Sequence, residues 1–315
     1  MDQRDLGRRP RLTSTPSGKT IRVHDGDVAI IEALQRHGYL NTFQIFQLVY
    51  PIFTNYTALG TRLTNLYHEP SVRYGGTLLI RPGQQKDNDR RRSALSIYAK
   101  SIYADELLKE RSLYQPQATV PSGPFLHQVF SSYMSASLEI AARQIKGMTF
   151  VPQYAYLKSG DLSIPIELDG KTTLLRPDGV CGLEFNSKRL NIFREEDRST
   201  EPHERPDLDK PNRKYTKLNI RQYQKLIGQG FYKEHFNLRS GAIVLYTTTR
   251  YGRRDSVVKF VHAHFPRGCN YMLHHAVPGF SALTELPDMV PAFDIQWKRA
   301  GNPDCTILDF FRQKK

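Results

Sequence analysis

The run from Lys171 to Asp197, KTTLLRPDGVCGLEFNSKRLNIFREED, limits the fold more than any other stretch of the chain. Two apolar, β-prone runs flank the turn-forming Asn-Ser-Lys, which predicts two core strands joined as a hairpin. The first run contains Pro-Asp, and the second ends in Arg-Glu-Glu-Asp. In a strand, residues i and i+2 share a face. Glu195 and Asp197 therefore project together, and Glu196 points away. Antiparallel pairing would set Asp178 beside Glu195 at the same end of the sheet. Carboxylates there are either solvated caps or ligands. As ligands, Asp178, Glu195 and Asp197 suit Mg²⁺ or Mn²⁺, hard ions that prefer oxygen donors, and such an ion can activate water for phosphodiester attack.

The chain has 315 residues, enough for about two domains, and 39% are hydrophobic, enough to build real cores. No apolar run reaches the roughly 18 residues of a membrane span. The N-terminal MDQRDLGRRPRLTSTPSGK lacks the apolar centre of a signal peptide. Cys181, Cys269 and Cys305 are too scattered for a disulfide framework or a zinc finger. A cytoplasmic location without a membrane partner is the expectation. The net charge of +14 favours a polyanionic partner, because phosphate contacts release counterions.

Residues 1–20 read as a flexible basic arm. Residues 21–114 carry three short helices. In DGDVAIIEALQRHGYL, Val28, Ile31, Leu34 and Leu40 fall on one face and Gly38 is a stop. NTFQIFQLVYP ends at Pro51. In TNYTALGTRLTNLYHEP, Leu59, Leu63 and Leu66 form the inner face and Tyr56, Thr57, Thr61, Arg62 and Asn65 the other. A hairpin follows, with Arg90, Arg91 and Arg92 at its tip, and IYADELLKERSLY closes the unit as a helix. This order is that of a winged helix-turn-helix. Its third helix, through Tyr56, Thr61, Arg62 and Asn65, would meet duplex DNA, and the arginines of the wing would meet phosphates. A small helical module that binds protein is the competing reading.

The Pro-rich residues 115–124 read as a linker. Residues 125–275 give helix, several strands, helix, strand, helix, an α/β (α+β) order with a mixed sheet. KTTLLRPDGVCGLEF is read as one strand and KYTKLNIRQYQKLIGQGFYKEHF as one helix. Arg213, Lys217, Arg221 and Lys225 recur every fourth residue as a basic stripe. The stripe either holds a phosphate or is a solvated face. His262, His264, His274 and His275 lack the partners for a zinc tetrahedron. No P-loop and no nucleophile elbow is present. Residues 276–315 read as a C-terminal extension with a helix or edge strand near TILDFF.

The order of Glu139 on a helix, RPDGV, FREEDRSTE and a basic helix resembles the PD-(D/E)XK nuclease fold. With the preceding winged helix it is similar to the replication-relaxation family of plasmids, phages and other bacterial mobile elements, over roughly residues 25–265. The resemblance implies a DNA-binding protein with a restriction-endonuclease-like domain, linked to replication or mobilisation. By position, Asp178 matches the motif aspartate, Glu195 the acid of the second strand and Glu139 the acid of the first helix. The pattern departs where the motif wants lysine, since Asp197 stands there. Lys217 on the next helix is one replacement; a slip of register that places Arg198 in the lysine's role is another.

Two readings remain open at this point. One is a Mg²⁺- or Mn²⁺-dependent endonuclease, with Asp178, Glu195 and Lys217 catalytic and Asp197 a further ligand. The other is a non-catalytic replication initiator or regulator that uses the fold for DNA or protein contacts. Duplex DNA is the expected partner. A homodimer and replication or mobilisation proteins are further partner readings.

Overall fold

The computed structural model describes residues 13–83, 85, 96–115, 124–157, 162–198, 216–280 and 286–312. The chain is α+β and divides into two compact units, Met1–Pro116 with Ala282–Met289, and Gln117–Ser281 with Val290–Lys315.

The smaller unit runs α1 (Asp25–His37), β1 (Leu40–Asn41), α2 (Thr42–Val49), α3 (Tyr56–His68), β2 (Leu79–Ile80), β3 (Ile97–Lys100) and α4 (Ile102–Glu110). Polar side chains set the helix starts by occupying free first-turn amides. Asn41 accepts from Gln44 N at 2.8 Å, and Asn55 accepts from Ala58 N at 2.9 Å. Ile30, Ile31 and Leu34 of α1, Ile45 of α2 and Leu59, Leu63 and Leu66 of α3 are fully buried. Each such side chain contributes about 1.5–3 kcal/mol on burial. The strands pair in the order β1-β3-β2, with Leu40 opposite Tyr98 and Leu79 opposite Lys100. The short strand between α1 and α2 thus closes onto the hairpin that follows α3. Residues 286–289, read from sequence as part of the C-terminal extension, group with this unit. Asn41 Nδ2 donates to the Asp288 carbonyl at 3.3 Å.

The larger unit begins with α5 (Phe125–Arg143) and β4 (Thr149–Val151). Then come β5 (Ile164–Leu168), β6 (Lys171–Leu175), β7 (Gly179–Phe185), β8 (Lys188–Asp197) and α6 (Thr216–Tyr223). It continues with α7 (Phe231–His235), β9 (Gly241–Thr248), α8 (Tyr251–His264), β10 (Met272–Ala276), β11 (Trp297–Arg299), β12 (Asn302–Cys305) and α9 (Asp309–Arg312). Seven strands form one mixed sheet, β12-β11-β10-β9-β8-β7-β4. β8 runs antiparallel to β7 and parallel to β9, and β9 parallel to β10. Helices flank both faces. Phe193, Val244 and Tyr246 pack against Ile220 and Tyr223 of α6 and Val257 and Val261 of α8. On the opposite face, Arg194 reaches Ser131 of α5.

Two elements differ from the sequence expectation. KTTLLRPDGVCGLEF is two strands, because Pro177 offers no amide to a ladder and holds Arg176 away from it. β6 pairs with β5 as a separate hairpin, Ile164 opposite Leu175, and β7 starts only at Gly179. The helix expected from Lys214 onward is also broken. After α6 a single π turn covers Gln224–Gly228, and Gly230, at φ +79°, leads into α7. The β7–β8 turn is the two-residue kind, with Asn186 and Ser187 at φ +49° and +61° between the paired Phe185 and Lys188.

Candidate acidic site and nucleic-acid interface

The acids gather at one end of the larger sheet. The β7–β8 ladder pairs Gly179 with Arg194 and extends one step further, since Asp178 N–H donates to the Arg194 carbonyl at 3.0 Å. Strand alternation then divides the acids between two faces. Glu195 and Asp197 lie toward α6 and α8, and Arg194 and Glu196 toward α5.

Each buried carboxylate meets a partner supplied by the chain. Asp178 Oδ2 accepts the Glu196 backbone N–H at 2.7 Å, and its Oδ1 lies 3.1 Å from His127 Nε2. Glu196 Oε1 is 3.1 Å from Arg194 Nη1, which also donates to the Ser131 carbonyl at 2.6 Å. Glu195 Oε1 accepts the Tyr223 hydroxyl at 2.5 Å. Asp197 Oδ2 accepts from Arg253 Nε at 2.7 Å and from the Tyr246 hydroxyl at 3.3 Å. Arg253 continues to Thr216 Oγ1 at 3.2 Å. Glu196, Glu195 and Asp197 are all about 2% exposed, so these are interior interactions in which a lost partner is costly.

Burial sets the protonation. It pushes the Glu196 carboxyl above the usual carboxylate range, with Arg194 pulling the other way and Asp178 adding to the rise. Glu196 Oε2 is buried and has no hydrogen-bond partner. The Tyr223 hydroxyl is held far above its ordinary value, first by burial and then by the charge of Glu195. It stays protonated and donates.

Glu139 is not part of this end. It is paired with Arg143, Nη2 to Oε1 at 2.6 Å, one turn along the same helix. It also stands twelve residues, about 18 Å of helix rise, beyond the His127 that meets Asp178. Lys217 is exposed; Tyr223 of α6 donates to Glu195, and Thr216 meets Arg253, the partner of Asp197. Lys217 and Arg221 stand close enough to His264 to lower its affinity for a proton, after burial. Arg221 pairs with Asp169 at 2.7 Å. Of the four residues of the expected stripe, only Lys217 and Arg221 lie on α6; Lys225 falls in the π turn that follows it. Arg213 lies outside the described residues.

A hard metal ion needs several carboxylate oxygens turned to one point. Here they turn to two faces, and His127, Tyr223, Arg253 and Arg194 occupy them. Among the described residues no group of three His, Cys, Asp or Glu side chains could hold a metal. The donor set of Asp178, Glu195 and Asp197 does not fit Mg²⁺ or Mn²⁺.

In the smaller unit, the outward face of α3 carries Tyr56, Thr57 and Thr61, all exposed, with Asn65 half-buried. Arg62 differs from expectation. Its Nε donates to Asp27 Oδ1 at 2.7 Å and its Nη2 to the Arg22 carbonyl at 2.6 Å. Asp27 is 1% exposed and also accepts the His24 N–H at 2.8 Å, capping α1. Arg62 is thus a clamp between α3 and the start of α1, and its fork is not offered to a base edge. Arg90, Arg91 and Arg92 lie outside the described residues.

The chain matches no family model, no curated protein and no solved structure. Its function rests on its own geometry. His127, Ser131, Arg194, Tyr223 and Arg253 were not singled out from the sequence. Of the three cations of β8, Lys188, Arg189 and Arg194, only Arg194 is buried. No helix among the described residues is long and apolar enough to cross a membrane.

Proposed function

We propose that the protein binds duplex DNA through the smaller unit, acting as a winged helix-turn-helix, and that the larger unit is a PD-(D/E)XK-like domain that contacts nucleic acid without cutting it. The observation that carries the reading is the element order of the smaller unit. Three helices are followed by a hairpin whose second strand pairs with the short strand between α1 and α2. That places α3 and the hairpin side by side on one compact body, the arrangement in which a helix enters the major groove and a wing follows the backbone. The exposed Tyr56, Thr57 and Thr61 supply hydroxyls for base edges and phosphates. The basic excess of the chain, +14, supplies the attraction. A role in replication or mobilisation of a bacterial mobile element is what the resemblance adds.

The larger unit enters the proposal through the antiparallel β7–β8 pair followed by parallel β9, with Pro-Asp before β7 and acids closing β8. The non-cutting reading is favoured by the partners of those acids, each held by a side chain or amide of the chain.

Duplex binding by the full chain, measured against salt, tests the proposal. Thr61→Ala should weaken binding with an unchanged melting temperature. Replacing Arg90, Arg91 and Arg92 by Ala should weaken binding to every sequence and flatten the salt slope. Absence of duplex binding at low salt would refute it. Mn²⁺-dependent cleavage that disappears in Asp178→Asn would restore the endonuclease reading.

A further inference from the structure

Between α3 and β2 the chain reads Ser-Val-Arg-Tyr-Gly-Gly, residues 71–76. Serine ahead of two glycines favours a tight turn, and this turn closes on itself. Gly75 N–H donates to the Ser71 carbonyl at 3.0 Å, and Ser71 Oγ accepts the N–H groups of Arg73 and Tyr74 at 3.3 and 3.4 Å. The segment that enters α1 runs alongside, bridged at Ile21 and Ser71. Arg62 fixes that segment through its bond to the Arg22 carbonyl. The end of α4 supplies the remaining wall. Between them lies a cavity of about 230 Å³ in the smaller unit.

Arg22, Arg73, Arg111 and Glu110 all line this cavity. Glu110 is balanced within the wall. Arg73 Nη2 meets its Oε1 at 2.6 Å, and the Tyr74 hydroxyl donates to its Oε2 at 2.8 Å. Burial and Glu110 raise that hydroxyl above its ordinary value, while Arg73 and Arg111 both stand close enough to pull it down. The two guanidinium groups thus converge on Tyr74. Arg111 has only a loose ion pair, 3.9 Å from the exposed Asp25. Arg22 is exposed, and its guanidinium makes no hydrogen bond or ion pair among the described residues.

We infer that this cavity binds a small phosphate monoester, with Arg22 and Arg111 on the phosphate and the ester's apolar body against Ile21, Val23 and Val72. Three arginines against one glutamate leave an excess of two positive charges, and a phosphate monoester carries about −1.5 to −2 at neutral pH. A carboxylate or a strand phosphodiester brings one. Arginine suits the head group because its planar fork donates two hydrogen bonds to two phosphate oxygens. The cavity is below the roughly 300–1,000 Å³ of pockets for drug-sized ligands, so the ligand is small. The turn and the Arg62 bond hold the walls before the ligand arrives, which lowers the cost of ordering them.

The test is calorimetry on the full-length protein with phenyl phosphate and with benzoate, which keeps the ring but carries one charge. Phenyl phosphate should bind, and benzoate more weakly. Arg22→Ala and Arg111→Ala should each weaken phenyl phosphate binding about tenfold, the scale of one lost hydrogen bond to a charged group. Both arginines are exposed, so each variant should keep the wild-type melting temperature. Phenyl phosphate binding that is undetectable, unchanged in either variant, or matched by benzoate overturns the inference. Displacement of phenyl phosphate by duplex DNA also overturns it, by assigning the cavity to a strand phosphate. Thr61→Ala separates this claim from the duplex reading, because it should weaken duplex binding and leave phenyl phosphate binding unchanged. A protein that binds phenyl phosphate but no duplex keeps this site and loses that reading.

Discussion

The backbone N–H of Glu196 donates to the side chain of Asp178 at 2.7 Å, while the other oxygen of that carboxylate faces His127 at 3.1 Å. Asp178 thereby ties the end of β8 to the first turn of α5. An acid in this position serves as a structural acceptor on two sides. Asp178→Ala leaves the Glu196 amide without its acceptor, and a buried amide so stranded costs about 1–3 kcal/mol. Thermal unfolding should show the loss. Added Mg²⁺ or Mn²⁺ should leave the melting temperatures of wild type and variant unchanged; a rise in wild type alone would show that Asp178 binds metal.

Glu196 gives a pH-dependent counterpart. Its folded-state carboxyl titrates above the ordinary carboxylate range, because burial outweighs the pull of Arg194. The folded state therefore keeps a proton that the unfolded chain has released. Stability from this group is full below the unfolded pKa and declines as pH rises toward the folded one. Glu196→Gln, which imitates the protonated acid, should remove that decline and melt higher than wild type at pH 7. If both proteins show the same slope of melting temperature between pH 4 and pH 7, Glu196 is ionised in the folded state.

The sequence made the β7–β8 hairpin legible because Asn-Ser-Lys and the apolar alternation are local signals. The three helices of the smaller unit were legible for the same reason, through Asn41, Asn55, Pro51 and their leucine faces. The partners of the acids were not. Tyr223 meets Glu195 across 28 positions and Arg253 meets Asp197 across 56, and no local pattern encodes such pairings. Periodicity set Lys217 and Arg221 one turn apart but could not say which face of α6 turns to the sheet, nor that the α-helix would end at Tyr223 before Lys225. The tyrosine and threonine of the same helix face inward. Arg62 misled for a related reason: an arginine on a helix opposite its leucines reads as exposed until Asp27, 35 positions earlier, is seen beside it.

Gly179 is a third point of test. A Cβ built there would stand 1.9 Å from Arg194 Nη2 and 2.7 Å from its Cζ. The absence of a side chain leaves room over β7 for the guanidinium, which reaches Ser131 of α5 and pairs with Glu196 on its own strand. Gly179→Ala should displace the Arg194 guanidinium from its buried hydrogen bonds, and a hydrogen bond to a charged group is worth about 1.5–3 kcal/mol. Denaturant unfolding should show a lower midpoint. Gly241→Ala, at a strand position with open space around a Cβ, is the control and should change stability little. Equal effects of the two substitutions would mean that Arg194 does not need the passage.

His274 supplies a pH effect of the opposite sign. It sits on β10 opposite Tyr246 of β9, with ring centroids 5.6 Å apart, fully buried and without a partner on either ring nitrogen. Burial, with a smaller push from Arg254, pulls its pKa down to about 3. The folded state holds it neutral, whereas the unfolded chain takes up a proton near its ordinary value of 6.5. Its contribution is full above the unfolded value and is lost as pH falls toward the folded one. At pH 5 the loss amounts to about 2 kcal/mol, from roughly one and a half pH units at 1.36 kcal/mol each. His274→Leu, apolar and of similar size, should remove this acid lability, so its midpoint in urea should fall less than wild type's between pH 7 and pH 5. A wild-type loss that persists unchanged in His274→Leu would assign the acid sensitivity to other groups.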